Sequence, residues 1–205
     1  MKKIIYIYIL ESMAEWEIAN LLQAISMQGM VNNEIEEFEI KTVACNSNPI
    51  KTMGGLTIIP DCSLEEIDED NIVALILPGA KNWSEDINKT ILMKLDEYIN
   101  KGILIAAICG ATVELANLNI LDKYKHTSNA LDYLTLFSKE YKGKDLYIDA
   151  QAVIDRNIIT ASSVGGLLFA KYIIEYLGVF TNDKIESWYN YCLTGDSKYF
   201  FELIS

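Results

Sequence analysis

The most constraining stretch runs from Ile103 to Ala116, ILIAAICGATVELA. Apolar, β-leaning residues from Ile103 to Ile108 stop abruptly at Cys109-Gly110. Small, helix-favouring residues then continue to Ala116, with Glu114 among them. A continuous apolar run reads as a buried parallel strand, because helices cover both faces of such a sheet. A strand that turns at once into a helix, with glycine directly after a reactive side chain, has the pattern of a nucleophile elbow. The side chain at the apex projects above the sheet edge, beside free backbone N–H groups. Those groups and the helix dipole favour thiolate over thiol and stabilise a developing oxyanion. Cys109 is therefore the candidate nucleophile; the alternative is a free cysteine serving as a small buried hydrophobe.

The flanking sequence supplies the rest of an α/β domain. Lys3 to Leu10 reads as a first strand. The acidic run Glu11 to Glu17 leads into an apolar helix (Ile18, Leu21, Leu22, Ile25) ending at Gly29. Phe38 to Cys45 is a second strand, and Ile50 to Pro60, with Gly54-Gly55, a small hairpin. Asp61 to Asp70 covers a helical turn. Ile72 to Leu77 is a third buried strand, closed by Pro78-Gly79-Ala80, and Asn88 to Asn100 has helical spacing before Gly102. Strands alternating with helices in this order predict a doubly wound, mostly parallel sheet with helices on both faces. Beyond the elbow, Asn119 to Asn129 is a loop holding the only histidine, His126. Ala130 to Tyr141 reads as helix. Tyr147 to Ala150, Ala152 to Ile154 and Ile158 to Ala161 read as short strands around a turn at Asp155-Arg156-Asn157. Gly165 to Leu177 is a helix capped by Gly178, and the aromatic tail from Thr181 to Ser205 forms one or two more.

Composition narrows the class. A chain of 205 residues, 51% apolar and 22% charged, is long enough to bury a full core as one domain spanning 1–205. Its 17 basic and 29 acidic residues give a net charge of −12, which repels phosphate backbones and anionic membranes and argues against both as partners. The opening MKKIIYIYILES is closed by Glu11 without a cleavage site, and no stretch approaches a membrane helix. Cys45, Cys62, Cys109 and Cys192 are scattered without metal-ligand spacing, so reduced thiols, a cytoplasmic location and no metal or cofactor are expected.

Three separated motifs carry a resemblance: AAICGATVELANL within 103–118, LILPGA at 75–80 and AEWE at 14–17. Together with DRNIITASS and the late apolar helix, they make the chain similar to the ThiJ/PfpI family of the class I glutamine amidotransferase-like superfamily. The likeness extends roughly from Lys3 to Gly178. It implies a flavodoxin-like fold with Cys109 as the elbow cysteine and 181–205 as a helical extension. Glu17 matches the acid that reaches the cysteine from the first strand–helix junction; on the residues alone it reads as a first-turn acid stabilising the helix dipole. Pressed against a partly buried cysteine, it would tend to be protonated and donate a hydrogen bond to sulfur. Pro78-Gly79-Ala80 matches the loop facing the elbow, which makes the Ala80 and Gly110 amides the implied oxyanion hole, with Gly79 accessory. Family members are commonly dimers, and the aromatic tail permits a homodimer.

The departures bear on mechanism. Many family members place a histidine directly after the elbow cysteine or in a later loop. Here position 110 is glycine, and the Thr-Ser/Thr-His-Pro pattern aligns with Thr127-Ser128-Asn129-Ala130. Asn129 thus stands where the histidine is expected, and His126, three residues earlier, is either a solvated loop histidine or an accessory base. The readings that follow are a cysteine-dependent hydrolase, amidase or glyoxalase-like enzyme on a small carbonyl or amide substrate, and a non-enzymatic stress protein sensing oxidants through Cys109. A third is a binding module in which the thiol is incidental. A glutaminase subunit is disfavoured, since no His-x-Glu pair stands near the C-terminus.

Overall fold

The computed structural model describes residues 2–31 and 37–205. In chain order it contains β1 (Lys3–Tyr8), α1 (Ala19–Ser26), a single helical turn α2 (Gln28–Val31), β2 (Phe38–Ala44), β3 (Ile50–Lys51), β4 (Thr57–Ile58), β5 (Cys62–Ser63), β6 (Ile72–Leu77), α3 (Lys89–Asn100) and β7 (Leu104–Ile108). Then come α4 (Ala111–Asn117), α5 (Leu131–Phe137), β8 (Ala152–Asp155), β9 (Ile158–Ala161), α6 (Gly166–Leu177), α7 (Asn182–Thr194) and α8 (Ser197–Ile204). The main sheet has seven strands in the order β5-β2-β1-β6-β7-β9-β8. Every pairing in it is parallel except the β8–β9 hairpin at the edge. A separate antiparallel pair, β3–β4, is the small excursion expected between Ile50 and Pro60.

Strand order explains where a site can form. From β1 the chain moves outward to β2 on one side, and later fills the other side with β6 and β7. The order reverses between β1 and β6, and the crevice outside the carboxyl ends of such strands is where open α/β sheets bind ligands. The segments leaving β1, β6 and β7 all meet there. β6 and β7 are apolar throughout, and β1 beyond Lys3, because the sheet is covered: β7 is buried at every residue and β6 at all but Val73.

Helices α1 and α6 lie against each other, and α3 and α4 lie against β7. The tail forms two helices. Trp188 of α7 is fully buried, and its Nε1–H donates to Gln23 Oε1 of α1 at 3.1 Å. The tail's aromatic spacing therefore reflects core docking at Trp188, while Phe201 stays largely exposed.

Two expected elements differ. Tyr147 to Ala150 forms no strand; Tyr147 makes one isolated bridge to His126, and the Ile148 N–H donates to the His126 carbonyl at 2.8 Å. With no neighbouring strand there, the apolar residues cover a histidine instead of joining a ladder. The helix expected from Ala130 to Tyr141 stops at Phe137. Ser138 is extended, which brings Tyr141 back to the His126 ring.

Trp188→Ala should remove a fully packed indole and leave Gln23 short of a donor. Unfolding in urea should show a loss of about 3–5 kcal/mol, the usual range for emptying such a site. A loss below about 1 kcal/mol would mean that α7 does not belong to the cooperative core.

Candidate active site at the cysteine elbow

The turn from β7 into α4 places Cys109 at φ 56°, a left-handed backbone that a non-glycine residue adopts at a cost on the order of 1–3 kcal/mol. The surroundings hold it there. The Cys109 N–H donates to the Ala161 carbonyl at 2.9 Å, and its carbonyl accepts from Thr112 Oγ1 at 2.6 Å. Thr112, fully buried, is in turn 2.7 Å from Ser128 Oγ, tying the elbow to the loop that carries Asn129. The side chain is thus lifted off the sheet edge, as the sequence pattern predicts.

Glu17 arrives from β1. A 3-10 turn, Glu15–Ile18, precedes α1 and sends alternate side chains in opposite directions. Trp16 is half exposed, and the Glu15 carboxylate accepts from the Gly54 N–H at 3.1 Å on the surface. Glu17 turns inward and is only 2% exposed, so it is not a solvated first-turn acid. Its Oε2 accepts from the Gly79 N–H at 2.7 Å, and the carboxyl lies beside the Cys109 side chain. Gly79 is required by this closeness: a Cβ there would lie 2.8 Å from both Cys109 Cβ and Glu17 Oε2. The Gly79 carbonyl accepts from the Ala14 N–H at 2.7 Å, which fixes the loop against the Glu17 turn.

The two amides implied as oxyanion donors are neighbours. A Cβ on Gly110 would sit 3.1 Å from the Ala80 oxygen and 3.5 Å from its nitrogen, so the elbow and the Pro78–Ala80 loop are in close contact. No hydrogen bond from the Ala80 N–H is made among the described residues.

Asn129 is also brought to the cysteine. Its Oδ1 accepts from the Ser163 N–H at 2.8 Å, which leaves Nδ2 to donate to Cys109 Sγ at 3.4 Å. An amide can steady a thiolate in this position but cannot take up its proton. His126 is not brought to the cysteine. It is fully buried, with Nδ1 bound to the Tyr124 carbonyl at 2.7 Å and Nε2 to the Tyr141 hydroxyl at 2.6 Å. The carbonyl can only accept, so Nδ1 carries the proton and Nε2 accepts from Tyr141. The expectation of an accessory base at His126 is corrected: both ring nitrogens are committed to holding a loop.

Burial pushes the Cys109 thiol up to about 11, and the nearby Glu17 charge adds to the rise, while Asn129 and the Gly110 N–H oppose it. Burial also pushes the Glu17 carboxyl up, against the Gly79 and Cys109 hydrogen bonds. Two acids in one buried contact lose their protons as a pair. Losing the second puts two negative charges side by side, which holds that proton back.

Beside the elbow lies an open cleft of about 430 Å³, lined by Ala80, Lys81, Trp83, Ser84, Gly110, Val113, Glu114, Asn117, Tyr133 and Phe137. Glu114 and Tyr133 were not among the expected site residues. Glu114, an isolated acid just past the elbow in an otherwise apolar helix, was a visible signal; Tyr133 depends on where α5 packs. Among the described residues, no group of three or more His, Cys, Asp or Glu side chains is gathered to hold a metal ion.

The chain has one histidine, so one imidazole resonance reports it directly. Burial lowers its pKa, so its neutral form stabilises the fold above about pH 6.5, and that stability is lost as pH falls through the folded value. NMR titration should give a midpoint below 6.5; a midpoint at or above 6.5 would contradict the buried, neutral assignment.

The family model for the DJ-1/PfpI family matches residues 2–176. A Bacillus subtilis (strain 168) protein named uncharacterized protease YoaZ is 39% identical over 201 residues, covering 98% of this chain and 96% of that protein. The glutathione-independent glyoxalase DJR-1.2 of Caenorhabditis elegans is 28% identical over 135 residues, covering 64% of this chain and 69% of that protein. The crystal structure of a thiJ/pfpI family protein from Bacillus anthracis matches with a TM-score of 0.94 at 39% identity, covering 100% of this chain and 96% of that one. The fold, the family model and these relatives agree: the chain belongs to the DJ-1/PfpI family.

Proposed function

We propose that the protein is a cysteine-dependent catalyst acting on a small carbonyl substrate, with Cys109 as nucleophile and Glu17 as the carrier of the exchanged proton. The observation that carries this reading is the buried Glu17 carboxyl beside Cys109, next to a cleft lined by Ala80 and Gly110. In the one-proton state the Asn129 amide donates to sulfur and the Gly79 N–H to the carboxyl. We take the shared proton to rest on Glu17 and the charge on sulfur, a placement that the Asn129 donor supports and burial of the thiol opposes.

Sulfur attacks the carbonyl carbon, a C–S bond forms and the C=O π pair moves to oxygen. The Ala80 and Gly110 N–H groups stabilise that oxygen, a contribution typically of about 10²–10³ in rate for one such donor. Glu17 then supplies its proton to the oxygen. Addition to an aldehyde needs only this one proton. Peptide cleavage needs a further donor for the leaving amine, and Asn129 cannot serve. The chemistry at hand therefore favours an aldehyde, as in the glyoxalase relative, over the proteolysis in the name of the Bacillus subtilis one. The alternative is a stress-responsive protein in which the same thiol meets oxidants without turnover.

With a panel of small α-oxo aldehydes, the wild type should consume at least one, and Cys109→Ala should abolish that consumption while keeping the native circular dichroism. Retained turnover in the folded variant would overturn the reading. No turnover by the wild type, with mild peroxide adding oxygen selectively at Cys109, would favour the oxidant-sensing alternative.

A further inference from the structure

The cleft beside Cys109 holds a charge that the proposed chemistry does not use. Glu114 lies one helical turn beyond Gly110 on α4, half-buried in the cleft wall. Its Oε2 accepts from Asn117 Nδ2 at 3.3 Å, and no lysine or arginine among the described residues pairs with it. Burial raises its pKa, so the ionised carboxylate is short of partners and a bound cation would supply one. Tyr133 and Phe137 of α5 line the same cleft, with ring centroids 4.9 Å apart and planes tilted by 55°. A carboxylate beside aromatic faces is the chemistry that recognises ammonium and guanidinium groups. Lys81 also lines the cleft, but it is exposed, where solvent and salt screen its charge.

We propose that Glu114 determines specificity, selecting substrates that carry an ammonium or guanidinium group. That group sits between the carboxylate and the Tyr133–Phe137 pair while the carbonyl faces Cys109. The proposal rests on the reading of Cys109 as a nucleophile beside this cleft, and it names the substrate class: amine-bearing carbonyl compounds.

Methanethiosulfonate reagents test it without a known substrate. The thiolate attacks the reagent's sulfenyl sulfur, a disulfide forms and methanesulfinate leaves with the bonding pair, so one reaction can be run with different tails. Rates with the 2-aminoethyl (cationic) and 2-sulfonatoethyl (anionic) reagents are measured at Cys109 by peptide mass. Each is divided by the neutral methyl reagent's rate in the same protein. Cys192 provides the internal reference for the general pull of a −12 chain on cations. The cation-to-anion ratio at Cys109 should exceed that at Cys192 by about fivefold, the order expected of one partly exposed ion pair. In Glu114→Gln it should fall to the Cys192 value. A ratio unchanged by Glu114→Gln, with the methyl reagent still labelling Cys109, would overturn the specificity proposal and leave the nucleophile standing. If the methyl reagent labels Cys109 no faster than Cys192, the nucleophile reading falls and the proposal with it.

Discussion

A carboxyl and a thiol pressed together out of water form the contact on which the site depends. Each is disfavoured as a charge by burial, and a charged Glu17 disfavours the thiolate. The fold surrounds the pair with fixed N–H donors: Gly79 on the carboxyl and Asn129 on the sulfur. The requirement reaches into the backbone. Position 79 has no room for a side chain, and Cys109 is held left-handed so that sulfur can face Glu17. The 3-10 turn before α1 keeps Glu17 inward while Trp16 faces out. These features come from three strand ends, which the reversal of strand order between β1 and β6 brings to one crevice.

Much of this was legible in the sequence, because apolar runs and glycine punctuation act locally. Ile72 to Leu77 is a strand over the expected residues, and the elbow strand differs by one residue at its start. Gly178 caps α6 in a left-handed conformation, as a C-terminal glycine should. Elements that depend on distant partners were not legible. Tyr147 to Ala150 has strand-like residues, but strand formation needs a neighbour, and none lies alongside. The helix after Asn129 is cut short because Tyr141 must turn back to a buried histidine.

At the site, the boundary between legible and hidden follows the same physics. Cys109 stands out because the strand–turn–helix pattern is continuous in sequence. Glu17 does not, since a first-turn acid and a buried partner of sulfur look alike until the 3-10 turn is known; only the family resemblance pointed inward. His126 drew attention as the lone histidine near the right loop, yet its distance along the chain says nothing about where its ring points. Its nitrogens stabilise the loop whose next residues, Thr127 to Asn129, reach the elbow. The side chain in the expected histidine's place is an amide, which can donate to sulfur but cannot take up its proton.

The most direct measurement is the pH dependence of Cys109 alkylation in the wild type, resolved from the other three cysteines by peptide mass. If the shared proton resides on Glu17, the rate should rise with an apparent pKa below the free-cysteine reference of about 8.5. A rate that climbs only towards about 11 would place the proton on sulfur and the charge on Glu17, and would contradict an activated nucleophile.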